Sequence, residues 1–140
     1  MANFEFIAVR PDNIQRHWGQ YADGVKAVIK NSTHDLALDA IYNNLLSGQW
    51  QLWAGYRESQ NVGFIISYVA NDVFFVVQAY IKPGTDRDIF FDGMSAIEEK
   101  ARQVNLNEVE FWTIREEAFE KRMNDKGYKK GYTQFKKKLY

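Results

Sequence analysis

Around Gly48 the apolar residues of this chain change their spacing, and the change restricts what the chain can fold into. Before it, Ile14, Trp18, Tyr21, Val25, Val28 and Ile29 recur at helical intervals, as do Leu38, Ile41 and Leu45. Residues three or four apart share one face of a helix, so each set makes a stripe to bury. After it, "WQLWAGYRE" and "NVGFIISYVA" alternate with a period of two across the polar "ESQN". That pattern predicts two strands joined by a turn. The next run, "VFFVVQAYIK", is apolar nearly throughout. A strand reads this way when both of its faces are covered. Helices must therefore pack on both sides of a sheet.

Punctuation sets the element ends. The opening "FEFIAV" reads as a half-buried strand, and Pro11 stops it. Asp12 with Gln15 resembles a helix cap, which predicts one helix of about five turns from there. "NSTH" breaks it, Ser32 with Asp35 can cap a second helix, and Gly48 supplies its stop. "AND" makes a further turn. Pro83-Gly84 ends the apolar strand, and Thr85 with Asp88 caps a helix beginning near Asp86. Phe90, Met94, Ile97, Ala101 and Val104 form that helix's stripe. "NLN" turns the chain into the strand "EVEFWTI". Thr113 and Glu116 repeat the cap for a late helix, which Gly127 ends, and "YTQFKKKLY" reads as a last strand.

The expected order is β-α-α-β-β-β-α-β-α-β in one domain, residues 1–140. A strand, helix and strand over residues 73–114 require a parallel pair with a right-handed crossover. The hairpins before it are antiparallel. The fold class is thus α/β in the broad sense (α+β): a mixed, twisted central sheet with helices on both faces.

Composition removes several functions. There is no cysteine, which excludes disulfides and thiolate chemistry and fits a reducing, cytoplasmic setting. No apolar run approaches the length of a membrane span, and "MANFEFIAVR" is not a secretory signal. His17 and His34 are the only histidines, and neither has a partner at metal-ligand spacing, so no metal site is expected. No serine sits in a nucleophile elbow, and "VGFIIS" lacks the lysine and glycines of a phosphate loop. Net charge is zero but unevenly spread. Residues 1–120 carry 10 basic and 17 acidic side chains, whereas residues 121–140 carry 8 basic and 1 acidic. The basic end reads either as a lysine-protected edge strand or as a surface for an anionic partner such as nucleic acid.

The element order, together with "VFFVVQAYIKPGTDRDIFFDGMSAIEEKAR" and "REEAFEKRMNDKGYKKGYTQFKKKL", resembles the GNAT superfamily of acyl-CoA-dependent N-acetyltransferases over essentially the whole chain. The resemblance implies transfer of an acetyl or other acyl group from acyl-CoA to an amine. It assigns backbone contacts with the pantetheine arm to Ala79, Tyr80 and Ile81, and contacts with the pyrophosphate to Arg87, Asp88 and Ile89 at the helix start. Unpaired N–H groups and the helix dipole favour an anion there.

The sequence departs from the family at several positions. In register from Pro83, the loop's two small positions fall on Ile89 and Phe91, and its basic or amide position falls on Asp86. The tyrosine that protonates the leaving thiolate falls on Met123, which cannot donate a proton. The asparagine often found earlier in the late helix falls near Glu116, and the acid of the central strand near Phe75. These departures keep a second reading open, a non-catalytic binding or assembly protein of the same fold, of the kind carried by tailed phages.

Further residues keep two readings each. Glu108 and Glu110 either accept an amine proton or are solvated carboxylates alternating with Val109 and Phe111. Gln78 and Tyr80 either line the cleft or pack, and Trp50 and Trp53 either wall a ligand or join the core.

Overall fold

The structure, a computed structural model, describes residues 4–30, 37–85 and 89–111, together with Asp125 and Gly127. Strand β1 spans Phe4–Val9 and is followed by helices α1 (Pro11–Arg16), α2 (Trp18–Lys30) and α3 (Leu38–Leu46). Strands β2 (Gln51–Arg57), β3 (Gln60–Ala70) and β4 (Val73–Ile81) come next, then helix α4 (Ile89–Gln103) and strand β5 (Glu108–Phe111). The described strands form one mixed sheet in the order β1-β2-β3-β4-β5. The first four pair antiparallel as a meander, and β5 lies parallel to β4.

Tight turns build the meander. Glu58 (φ 50°) and Ser59 (φ 68°) link β2 to β3, and Asn71 (φ 53°) and Asp72 (φ 63°) link β3 to β4. Two successive positive φ values give the turn whose twist matches the flanking strands.

A core forms on each face of the sheet. On one side, Met94, Ile97 and Ala101 of α4 pack against Phe6, Ile65, Phe74 and Val76. On the other, Ile14, Tyr21, Val25, Ile41 and Leu45 of α1, α2 and α3 pack against Leu52, Phe64 and Ile66. Covering on both faces explains why β4 is apolar along its length.

The first helical region departs from expectation. Its spacing predicts one helix, but the structure divides it at exposed His17, whose backbone (φ −121°, ψ 24°) is not helical. The two pieces differ in their packing: both touch α3, and α2 also packs on β4. Asp12 is not the cap. Pro11 occupies the first helical position, and the Arg10 carbonyl accepts hydrogen bonds from the N–H groups of Asn13 and Ile14. Asp12 instead lies in the first turn, where a negative charge suits the dipole. Helix α3 begins at Leu38 with Ala37 at its N-cap, and the Ser32–Asp35 cap falls outside the described residues. So do Asp86, the Thr113–Glu116 cap and the expected last strand; of the late helix, Asp125 is helical and Gly127 has φ +89°.

Candidate functional site

The site is built on an irregularity in β4. In the register with β3, Ile66 faces Gln78 while Ser67 faces Val76, leaving Val77 as an extra residue, a β-bulge. One extra residue reverses the alternation of every side chain beyond it. Phe74 and Val76 join the core beneath α4, whereas Tyr80 packs on the α2 side. Among the described residues the β4–β5 register runs from Val73 to Val76 and goes no further.

Beyond the bulge, one hydrogen bond fixes the phase of the backbone. The Lys82 N–H donates to the Val62 carbonyl at 2.9 Å. In an antiparallel pair, residues alternate between exchanging hydrogen bonds and pointing them outward. Lys82 and Tyr80 therefore turn their backbone groups toward β3, and Ala79 and Ile81 turn theirs away from it. Gly63 confirms the close contact on the β3 side. A Cβ built on it would fall 1.9 Å from the Tyr80 carbonyl oxygen, and its φ is +152°. Only glycine fits there. Ala79 is exposed, so its outward edge is accessible. Of the three residues to which the resemblance gives backbone contacts, Ala79 and Ile81 turn edges outward that no described strand pairs with, and Tyr80 spends its backbone on the sheet.

The strand then turns. Pro83 precedes Gly84 (φ +85°), and the Thr85 N–H donates to the Lys82 carbonyl at 3.2 Å. Proline followed by a residue at positive φ suits a type II turn. Helix α4 is described from Ile89, whose side chain is 3% exposed and points into the core. Phe91 also packs against that core. The residues at the family's glycine positions thus turn toward the sheet. Arg87 and Asp88 lie outside the described residues. A half-open pocket of about 50 Å³ between α4 and the sheet is walled by Phe6 and Met94 of this core and by Gly93, Ala79, Ile81 and Ile89.

The opposite face carries the buried polar groups. Gln78 is 5% exposed and shares its face with Ile66, Phe64 and Tyr80. Its Oε1 has no hydrogen-bond partner among the described residues. Helix α2 crosses this face at Gly24, where a Cβ would come within 2.7 Å of the Phe64 ring and 2.8 Å of Tyr80. Tyr21 of α2 meets Phe64 edge-on at 6.2 Å. Burial, then neighbouring Tyr56, raises the Tyr21 hydroxyl above the ordinary tyrosine value of 10.0, so it stays neutral.

Glu110 pairs with Phe75 and Glu108 with Val73, on the same face as Gln78 but before the bulge. Glu108 is exposed and Glu110 half-buried, while Val109 packs into the core. Beside Glu110 the rings of Trp50, Tyr68 and Phe75 stack in series, with centroids 6.2 and 4.9 Å apart. Trp53 takes a packing role: its indole Nε1 donates to Ser67 Oγ at 2.9 Å, and Lys100 lies over its ring. Met123 and Glu116 lie outside the described residues, as does the basic segment 121–140 apart from Asp125 and Gly127. Among the described residues no cluster of histidine or carboxylate can hold a metal ion, and no helix is long and apolar enough to cross a membrane.

No protein-family model matches the chain, and no curated protein matches it in sequence. Solved structures do match in shape. One is an aminoglycoside acetyltransferase from an uncultured soil metagenomic sample, in complex with trehalose: TM-score 0.68, 11% identity, covering 98% of this chain and 97% of that one. Another is the ribosomal-protein-alanine N-acetyltransferase of Brucella melitensis biovar Abortus 2308: TM-score 0.68, 10% identity, 99% and 100% covered. A third is the PaiA N-acetyltransferase of Thermoplasma acidophilum in complex with coenzyme A: TM-score 0.58, 12% identity, 89% and 88% covered. At such identities the likeness speaks for architecture, and it agrees with the mixed five-stranded sheet and its helices: the chain has the GNAT acetyltransferase fold.

Proposed function

We propose that this protein is an acyl-CoA-dependent N-acyltransferase acting on an amine. The observation that carries the reading is the outward backbone edge of Ala79 and Ile81, immediately before the Pro83–Gly84 turn and α4. The arm of acyl-CoA carries amide groups, and a strand edge offers the alternating donors and acceptors that match them. Acyl-CoA is a substrate here, consumed at each turnover. The residues fit it: Ala79 is small and exposed, and Ile89 is buried away from the helix start. Arg87, Asp88 and Ile89 would contribute their backbone N–H groups to its phosphates.

In this reading the strand edge holds the thioester and an N–H polarises its carbonyl. The amine nitrogen attacks that carbon, the C–N bond forms, and the C–S bond breaks. The nitrogen gives up one proton and the departing thiolate takes one up, so the exchange balances. Most of the acceleration comes from holding amine and thioester together. Half-buried Glu110, on the face from which the amine approaches, is the better placed of the two carboxylates to receive the proton. The setting we propose is cytoplasmic.

Calorimetric titration with CoA and acetyl-CoA tests this. Saturable binding below millimolar concentration is expected. The absence of heat at millimolar ligand would leave the non-catalytic reading, which the replacements at Asp86, Ile89, Phe91 and Met123 favour.

A further inference from the structure

Gln78 occupies a costly position. Its side chain is buried on an apolar face, opposite fully buried Ile66 and beside the bulge residue Val77. The amide oxygen has no hydrogen-bond partner among the described residues. A buried acceptor that has left water without a replacement bond weakens the fold, and a methionine of similar length would fill the space without that cost. An orphaned group of this kind calls for an explanation, and a bound ligand that satisfies it is one.

Its location says which ligand. Gln78 is the first residue after Val77, where β4 begins to turn its edge outward. Its side chain projects to the α2 face, while Ala79, the next residue, offers the backbone edge given above to the thioester. A nucleophile reaching that edge from the α2 face would pass Gln78 just before it. Along the way the face is apolar, with half-buried Val77 and Tyr80 near Gln78 and the half-buried Trp50–Tyr68–Phe75 ring stack toward the start of β4.

Resting on the N-acyltransferase reading, we infer that Gln78 Oε1 accepts an N–H of the acceptor amine, and that this amine is carried on an apolar or aromatic body. An amide oxygen suits this task. It accepts one N–H and leaves the nitrogen lone pair free to attack, and it does not itself take the proton. Gln78 is therefore a positioning residue.

The test is titration of benzylamine, as probe amine, into the CoA-saturated protein, with a thermal melt of each variant. Wild type is expected to bind benzylamine. Gln78→Met should bind it about tenfold more weakly, the loss of one hydrogen bond, with unchanged CoA affinity and a melting temperature equal to or above wild type. Gln78→Glu keeps an acceptor oxygen and should stay within about threefold of wild type. Equal benzylamine binding by wild type and Gln78→Met overturns the inference. So does a Gln78→Met protein that melts several degrees lower, which marks a packing role, and so does a CoA-loaded wild type that ignores benzylamine. Failure of CoA itself to bind shows in the first titration and counts against the parent reading instead.

Discussion

From Val73 to Val76, β4 has a strand on each side: β3 pairs with one edge and β5 with the other. From Gln78 to Ile81 it holds β3 alone among the described residues, and Ala79 and Ile81 turn their backbone groups outward. One inserted residue, Val77, separates the two halves. The first half is held by its side chains, since Phe74 and Val76 anchor the core beneath α4. The second is held by its backbone on one edge and, among the described residues, is unpaired on the other. A sheet can thus keep a strand rigid and leave half of it open, provided the remaining neighbour grips firmly.

That grip is tightest at Gly63, and breaking it should have the largest effect. Gly63→Ala would drive a Cβ into the Tyr80 carbonyl, backbone against backbone, and would force β3 and β4 apart. We expect a loss of more than about 4 kcal/mol, in the range that marks severe lesions. Urea unfolding, or failure to accumulate soluble protein, measures it; a variant within about 1 kcal/mol of wild type would show that the open half does not depend on this contact. Next is the closed half. Phe74→Ala empties a buried position and should cost about 3 kcal/mol, while the CoA affinity of the protein that remains folded is unchanged. A parallel fall in CoA affinity would mean that the halves are not separable. The smallest stability effect is expected at Ala79→Pro, which removes an N–H that β3 does not use. Proline is tolerated where the N–H side of a strand is unpaired, so stability should change by less than about 1 kcal/mol. CoA binding, read by calorimetry, should weaken about tenfold or more, by the loss of one well-placed hydrogen bond with its alignment. Intact CoA binding in this variant would move the ligand away from the β4 edge.

Much of this was legible in the sequence, for identifiable reasons. The hairpins follow from alternation and polar turns, and α4 from Met94, Ile97 and Ala101 of its predicted stripe, whose Val104 instead lies past the helix end and is exposed. The bulge was not legible. "VFFVVQA" is apolar on both sides of the insertion, so reversing the alternation changes no residue class. Gly63 does signal something, since a glycine inside a strand marks a bulge or a close backbone approach, but what lies beside it is a separate irregularity between β2 and β3 and the close approach to Tyr80. The break at His17 was hidden in the same way. Ile14 and Trp18 keep helical spacing across it, and the separation shows only in the backbone of His17 and in the contact of α2 with β4. Ile89 reads in the sequence as an obstacle to a phosphate, because spacing does not say that the first residue of α4 faces the sheet. Gln78 is conspicuous as an amide in an apolar strand, but its missing partner is a property of three dimensions.

The outward edge at Ala79 and Ile81 has one more consequence, for how such a chain can change over generations. A contact made by peptide groups asks little of the side chains attached to them. Mutation can therefore rewrite the residues along that stretch, within the limits of size and burial, and descendants can part company in spelling while the strand edge stays in place. What selection must guard is the handful of positions that shape the backbone. Gly63 is one, because its neighbour's carbonyl leaves room for no other residue.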